Sequence, residues 1–172
     1  MTLLYLVRHG ETVDNANHIM QGQTPGELNE QGIKQAEELA DRLKDEAIDA
    51  FVSSDLQRSI HTCGLIAAPH GKAVTTTPLL RERDWGSFTG KYIPNLANLK
   101  DSSLWPEDIE SLDALKARAK DFLTWLKEEY ADKKVLAVGH GIINKAIQSV
   151  YFDKPMNELK PMSNAEVRLL EL

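Results

Sequence analysis

Arg8 and His9 follow an apolar run near the N-terminus, and their side chains could bind and attack a phosphate group. The run at residues 3–7 is continuous and contains β-branched and aromatic side chains, which is typical of a short buried strand. Such a strand ends at the carboxyl edge of a sheet, where open α/β folds bind ligands. An arginine there can donate two hydrogen bonds to a phosphate, and a histidine can act as nucleophile, base or donor. Gly10, the next residue, would let the backbone approach the ligand closely.

Two later segments repeat parts of this arrangement. Arg58 lies in the first turn of a predicted helix that follows the strand end at residues 53–54, and it could reach the same anion. His140 and Gly141 follow another buried apolar run, at the start of a further predicted helix. Two histidines at two strand ends, each followed by glycine, indicate one shared site. The remaining histidines lack this setting, and we interpret them as structural or surface residues: His18, His61 and His70.

The elements that must position these side chains alternate between extended and helical patterns. Asp55 is predicted to cap a helix that carries Ile60, Cys63 and Ala67. The alternation predicts the α/β class, with a three-layer α/β/α sandwich and a mostly parallel central sheet. Strands are predicted at residues 3–7, 49–53, 74–77, 134–139 and 165–172, further helices at 29–46, 111–130 and 141–152, and irregular loops at 10–28 and 80–110.

Length and composition limit the kind of protein. The 172 residues predict a single domain over residues 1–172, long enough to bury a sizeable core. The net charge of -6 argues against nucleic-acid and membrane partners, because such partners select a basic face. No segment has the roughly 18 apolar residues of a membrane span, and the N-terminus does not resemble a signal peptide. A single cysteine, Cys63, permits no internal disulfide, so we expect a cytoplasmic protein.

Four blocks of the sequence, in this order and spacing, resemble the histidine phosphatase superfamily, whose branches include the cofactor-dependent phosphoglycerate mutases. The resemblance covers nearly the whole chain, and Asn15 also fits the pattern. The blocks are Leu-Val-Arg-His-Gly-Glu-Thr at residues 6–12, Ser-Ser-Asp-Leu-Gln-Arg at 53–58, Leu-Arg-Glu-Arg-Asp-Trp-Gly at 80–86 and Gly-His-Gly at 139–141.

The resemblance implies a role for each matching residue. His9 would be the nucleophile that becomes phosphorylated. Glu82, if partly buried, would protonate the leaving group, with Asp84 as the alternative donor. Two arginines and the second histidine would complete the catalytic set around the phosphate. The implied phosphate-binding and substrate-binding residues are Arg8, Gly10, Asn15, Arg58, His140 and Gly141.

Other phosphate chemistries fit the sequence less well. A cysteine phosphatase needs an arginine six residues after its thiol, whereas Pro69 stands six residues after Cys63, so we expect Cys63 to be a core residue. The cationic side chain of Arg8 beside His9 would repel a metal ion. We therefore predict no metal and no other cofactor.

The same phosphohistidine could serve two reactions. A mutase must hold a bisphosphorylated intermediate with extra cations. Most cations between Glu82 and His140 fall on or beside the predicted helix at 111–130, where a solvated face explains them. The short chain therefore favours water as acceptor, which predicts a phosphatase for a small phosphorylated substrate whose leaving group meets Trp105 and Tyr92. The alternatives are a phosphoglycerate mutase and a non-catalytic phosphate- or phosphoprotein-binding module, which would not need Glu82.

Overall fold

Five strands form one mixed, mostly parallel sheet in the order β3-β2-β4-β1-β5. The computed structural model describes residues 1–172. Strands β1 to β4 are mutually parallel where they pair, and β5 pairs antiparallel with β1. The strands are β1 (Leu3–Arg8), β2 (Ala50–Ser53), β3 (Val74–Thr76), β4 (Lys134–Gly139) and β5 (Val167–Glu171).

Helices cover both faces of this sheet, so the predicted α/β class and layer arrangement are confirmed. In β1 the side chains alternate: Leu4 and Leu6 pack with α4 and α5, whereas Tyr5 and Val7 pack with α2 and α3. Burial on both faces explains why the strand is apolar throughout. The helices are α1 (Val13–Ala16), α2 (Glu30–Leu43), α3 (Gln57–Ala67), α4 (Leu112–Glu129) and α5 (Gly141–Phe152).

The prediction that Asp55 caps α3 is wrong. The residue before the helix is Leu56, and no side chain bonds to the helix end. Asp55 instead accepts two hydrogen bonds from the Arg81 guanidinium, at 2.7 and 2.6 Å. A bidentate, charge-assisted pair is stronger than one bond to a backbone N–H, which explains why the carboxylate turns to Arg81. The prediction for Cys63 is confirmed, since its side chain is buried among the core residues between the sheet and α3.

The segment between β3 and α4 is irregular, as predicted, with short 3-10 turns at Pro78–Leu80, Gly86–Phe88, Ile93–Asn95 and Ser102–Leu104. A small apolar cluster holds it together through Met20, Trp85, Phe88 and Ile109. This cluster places residues 82–110 over the carboxyl edge of the sheet, beside the loop that precedes α2. None of the helices combines the length and hydropathy that crossing a bilayer requires.

Candidate active site

Three neighbouring strands end side by side and bring the two histidines together. Arg8 of β1 is in register with Gly139 of β4, and Ser53 of β2 with Val138 of β4. The next residues are therefore adjacent: the His9 N–H donates to the Gly139 carbonyl at 3.2 Å. The ring centroids of His9 and His140 lie 5.0 Å apart. Parallel pairing of distant segments thus builds the shared site that the sequence indicates.

His9 presents a neutral nitrogen to a cavity. Its Nδ1 lies 2.7 Å from the Gly10 carbonyl, which can only accept, so Nδ1 carries the proton and Nε2 keeps a lone pair. The residue is 2% exposed and lines the cavity. Burial and the charge of Arg58 lower the pKa of His9 to about 3, with a smaller contribution from Arg8. The imidazole is therefore uncharged at neutral pH, as a nucleophile must be.

His140 lies behind this cavity rather than on its wall. Its Nδ1 accepts a hydrogen bond from Arg58 Nε at 3.2 Å, so the proton is on Nε2. That nitrogen lies 2.7 Å from Ser54 Oγ and 3.1 Å from Ser59 Oγ. Complete burial and the charge of Arg58 hold the pKa of His140 well below its usual range. The expected cationic pocket thus consists of two guanidinium groups, with a neutral His140 that orients Arg58.

Arg58 is 1% exposed, yet its guanidinium lines the cavity. It donates to the carbonyls of Gly22, at 2.8 Å, and Thr24. The loop can approach this closely because Gly26 has a φ of +71°, and a Cβ there would lie 2.7 Å from Arg58 Cδ. Burial lowers the pKa of Arg58 to about 10, which leaves the group charged at neutral pH.

Arg8 retains free hydrogen-bond donors. Its Nη1 donates to the Met162 carbonyl at 2.7 Å, whereas its buried Nε has no partner. An unpaired buried N–H is costly, so this group favours an anion in the cavity. Gly141 lies against the guanidinium, and a Cβ there would be 3.5 Å from Arg8 Cζ. Desolvation by burial lowers the pKa of Arg8 from its ordinary value.

Glu82, not Asp84, lies on the cavity wall. Its Oε1 accepts from the N–H groups of Arg83 and Ile143, at 2.8 and 2.9 Å. Its Oε2 accepts only from Ile142, at 3.0 Å. The N-terminal turn of α5 therefore fixes the carboxyl close to the residues that follow His140. Asp84 is exposed, and its carboxylate accepts from the Gly86 N–H. Geometry thus favours Glu82 as the proton donor.

Gly10 and Asn15 differ in their placement. Asn15 lines the cavity, although its Oδ1 also accepts from the Thr12 N–H at 3.1 Å in the cap of α1. Gly10 does not line it. A Cβ at Gly10 would lie 2.5 Å from the Gly32 carbonyl oxygen, so this glycine permits close packing of the β1 end against α2. We expected Gly10 to let the backbone approach a ligand, but its close contacts are with α2 and not with the cavity.

The cavity has a volume of about 1220 Å³, so it has room for much more than a phosphate group. Its lining includes Trp85 and Trp105, whose ring centroids are 5.2 Å apart, and the Arg83 guanidinium carbon lies 5.1 and 5.0 Å from those two centroids. Trp105 was expected here, whereas Tyr92 is 45% exposed and lies outside the lining.

Several supporting residues escaped the sequence reasoning. Ser54 lies inside a matched block, so its contact with His140 could have been inferred from strand adjacency. Met162 and Arg118 carry no comparable signal, because one contributes a carbonyl and the other follows the periodicity of a helix.

Comparisons with known proteins agree with this geometry. The family described as the histidine phosphatase superfamily (branch 1) matches residues 4–172. The probable phosphoglycerate mutase GpmB of Yersinia pestis (strain Pestoides F) is 34% identical over an alignment 166 residues long, which covers 90% of this chain and 77% of that protein.

Solved structures with this fold include phosphatases. A mycobacterial glucosyl-3-phosphoglycerate phosphatase in complex with VO3 superposes with a TM-score of 0.89 and 28% identity, over 98% of this chain and 92% of that one. A mutant phosphoserine phosphatase from Entamoeba histolytica, in complex with phosphoserine, gives a TM-score of 0.86 and 26% identity, over 98% and 90% of the two chains.

Proposed function

The chain belongs to branch 1 of the histidine phosphatase superfamily, and on that premise we propose that it hydrolyses a small phosphomonoester, without a metal, through a phosphohistidine on His9. The observation that carries the proposal is the tautomer of His9. Its Nδ1 is held by the Gly10 carbonyl, and its Nε2 stays free on a cavity wall that also contains Arg8 and Arg58.

In the first step the two guanidinium groups bind the phosphate oxygens, and the lone pair of His9 Nε2 attacks phosphorus. The N–P bond forms as the bond from phosphorus to the leaving oxygen breaks, and Glu82 gives that oxygen its proton. Glu82 Oε2 suits this role because it has only one backbone partner, the Ile142 N–H. A protonated Oε2 gives up that single bond, while Oε1 keeps both of its own.

In the second step water attacks the phosphorus of phospho-His9 and gives a proton to the Glu82 carboxylate. The N–P bond breaks, inorganic phosphate leaves, and both side chains return to their starting protonation states. The charge of Arg8 and Arg58 stabilises the phosphoryl oxygens in both steps, which is most of what phosphoryl transfer needs from a protein.

Two considerations favour water over a second phosphorylated substrate as acceptor. Arg83, a cation on the cavity wall, lies against two tryptophans, and its Nε donates to the Glu110 carbonyl at 2.9 Å. Beyond Arg8 and Arg58, only Arg83, Lys100 and Lys145 are cations of this cavity that could bind a second phosphate. The structural relatives named above are also phosphatases, of glucosyl-3-phosphoglycerate and of phosphoserine.

His9→Ala tests the covalent intermediate, with His61→Ala in α3 as the matched control. Radiolabelled substrate, quenched without acid, should label the wild-type protein on His9 and the control equally. His9→Ala should take up no label and release phosphate at least about 10³-fold more slowly, in EDTA as without it. Undiminished activity of His9→Ala would contradict the proposal. Loss of wild-type activity in EDTA would contradict the statement that the reaction needs no metal.

The mutase is the second candidate because of the 34% identity to a probable phosphoglycerate mutase. Its test uses 3-phosphoglycerate with 2,3-bisphosphoglycerate as primer. A phosphatase releases phosphate faster than it isomerises the substrate, whereas the opposite ratio would identify a mutase.

A further inference from the structure

We propose that Arg118 is a positioning residue that holds the main chain of Glu82 in place for proton donation; the inference rests on the function proposed above. Arg118 belongs to α4, where the sequence favoured a solvated face for the basic residues. The structure turns this side chain inward instead: it is 18% exposed and pairs with Glu110 at 2.8 Å.

Every N–H of the Arg118 guanidinium has an acceptor. An arginine carries five such donors in a rigid plane. Nη1 donates to the carbonyls of Leu79, at 3.1 Å, and Arg81, at 2.6 Å. Nη2 donates to the Glu82 carbonyl at 3.4 Å and to Glu110 Oε1 at 2.8 Å. Nε donates to Glu110 Oε2 at 3.1 Å. One side chain therefore holds three carbonyls of the segment that carries the proposed acid.

Glu110 extends the same support to the residues after Glu82. Its Oε1 accepts from the Asp84 N–H at 3.1 Å, and its carbonyl accepts from Arg83 Nε at 2.9 Å. The Glu110 N–H in turn donates to the Asp84 carbonyl at 2.9 Å. Glu110 is itself on the cavity wall, so the charge of Arg118 also neutralises a carboxylate that would otherwise repel an anionic substrate.

Glu82 is thus held at both its carboxylate and its carbonyl, and the carbonyl also accepts from Gln23 Nε2 at 3.2 Å. The first turn of α5 binds its carboxylate through Ile142 and Ile143, and Arg118 binds its carbonyl and those before it. Arg118 does not line the cavity and makes no hydrogen bond to Arg8, His9 or Arg58, and Arg118→Lys keeps its charge, so the effect of that change should fall on the steps in which Glu82 moves a proton. Lysine cannot replace it, because one ammonium with three donors cannot span these acceptors in a fixed plane.

The test varies the leaving group. An alkyl phosphate needs a proton on its leaving oxygen, whereas 4-nitrophenyl phosphate releases a stable phenolate. The ratio kcat/KM is the suitable measure, because it excludes the later hydrolysis of phospho-His9. Glu82→Gln should lower kcat/KM for the alkyl phosphate by at least ~10²-fold and spare the nitrophenyl ester. Arg118→Lys should show the same pattern with a smaller loss of ~10-fold, because a misplacement of about 1 Å can cost up to ~10²-fold and lysine keeps some of the hydrogen bonds.

Glu110→Gln serves as the second variant and should shift the same ratio in the same direction. Arg42→Lys, an exposed change in α2, should leave both substrates unaffected. Circular dichroism would establish that each variant is folded at the assay temperature. The positioning role would be overturned if these variants lowered kcat/KM equally for both substrates. It would also be overturned if either Arg118→Lys or Glu110→Gln caused no loss of kcat/KM. Failure of the proposed function itself looks different, since Glu82→Gln would then have no preference between the two leaving groups.

Discussion

The chemistry of His9 depends on one backbone acceptor and two charged neighbours. The Gly10 carbonyl selects the tautomer, and burial together with Arg58 and Arg8 keeps the ring neutral. A neutral imidazole attracts a phosphate group less strongly than a cationic imidazole would. In the mechanism proposed above, the neutral ring is a nucleophile that is ready over a wide pH range, with the binding charge supplied by guanidinium groups that stay protonated.

NMR titration of the imidazole rings tests this neutrality. Because the pKa of His9 is lowered to about 3 and that of His140 lies well below its usual range, both rings should keep their neutral chemical shifts from about pH 8 to pH 5. Loss of one signal in His9→Ala would assign it. A His9 signal that titrates with a midpoint near 6.5 would contradict the argument that burial and nearby charge keep the ring neutral.

The sequence predicted Arg8, His9, Arg58, Glu82 and His140 as one site because each belongs to a matched block. It could not predict which of them faces the cavity. His140 lies behind the cavity, with hydrogen bonds to Ser54, just after β2, and to Ser59 in α3, and only three-dimensional adjacency reveals these bonds. The inward turn of Arg118 is equally invisible, since its acceptors are carbonyls, which every residue has.

The contact between the end of β1 and α2 depends on two glycines, Gly10 just after the strand and Gly32 in the helix. A Cβ on Gly10 would lie 2.5 Å from the Gly32 carbonyl oxygen, and a Cβ on Gly32 only 1.9 Å from the Glu11 carbonyl oxygen. In both cases the added Cβ would meet main-chain atoms, so no side-chain rotation could relieve the clash. Periodicity predicted both β1 and α2, yet it could not indicate how closely they approach.

Gly32→Ala should therefore destabilise the protein, by about 2 kcal/mol or more, because the added methyl group would displace α2 from the segment that follows His9. Gly64→Ala is the matched control. Gly64 also lies within a helix, α3, but a Cβ there meets nothing within 4 Å. That change should stabilise the protein by about 0.5–1 kcal/mol through helix propensity. Urea unfolding measures both; equal effects of the two substitutions would contradict the close-approach argument.

At the scale of the fold, a site built from buried neutral histidines and buried arginines lowers stability in exchange for chemistry. The same strand ends that position His9 and His140 also exclude them from water. The alternating pattern predicted this sheet edge as the ligand site, and the strand order explains why the predicted residues meet there: β2, β4 and β1 are neighbours and parallel. The long segment 80–110 had no periodic pattern to predict its path over that edge.

This arrangement predicts how the free energy of unfolding changes with pH. In the unfolded chain a histidine takes up a proton near pH 6.5, whereas folded His9 does so only at about 3 and folded His140 also well below its usual value. Between these limits the unfolded state binds more protons, so stability is full above about pH 6.5 and falls as the pH is lowered. Each histidine should contribute a slope of up to ~1.4 kcal/mol per pH unit.

The window from about pH 6.5 to pH 5.5 isolates this effect, because the carboxyls of Asp55 and Glu166, whose pKa values hydrogen bonds lower, act only at lower pH. Urea unfolding at several pH values across the window should give a steadily falling free energy of unfolding, and His9→Gln should reduce that slope by about half. The absolute stabilities of the two proteins can differ without affecting the comparison. Only the slope of the free energy of unfolding against pH depends on the proton that His9 takes up. A wild-type protein whose stability is flat across the window would mean that the two histidines are solvated, and the buried nucleophile would then have to be abandoned.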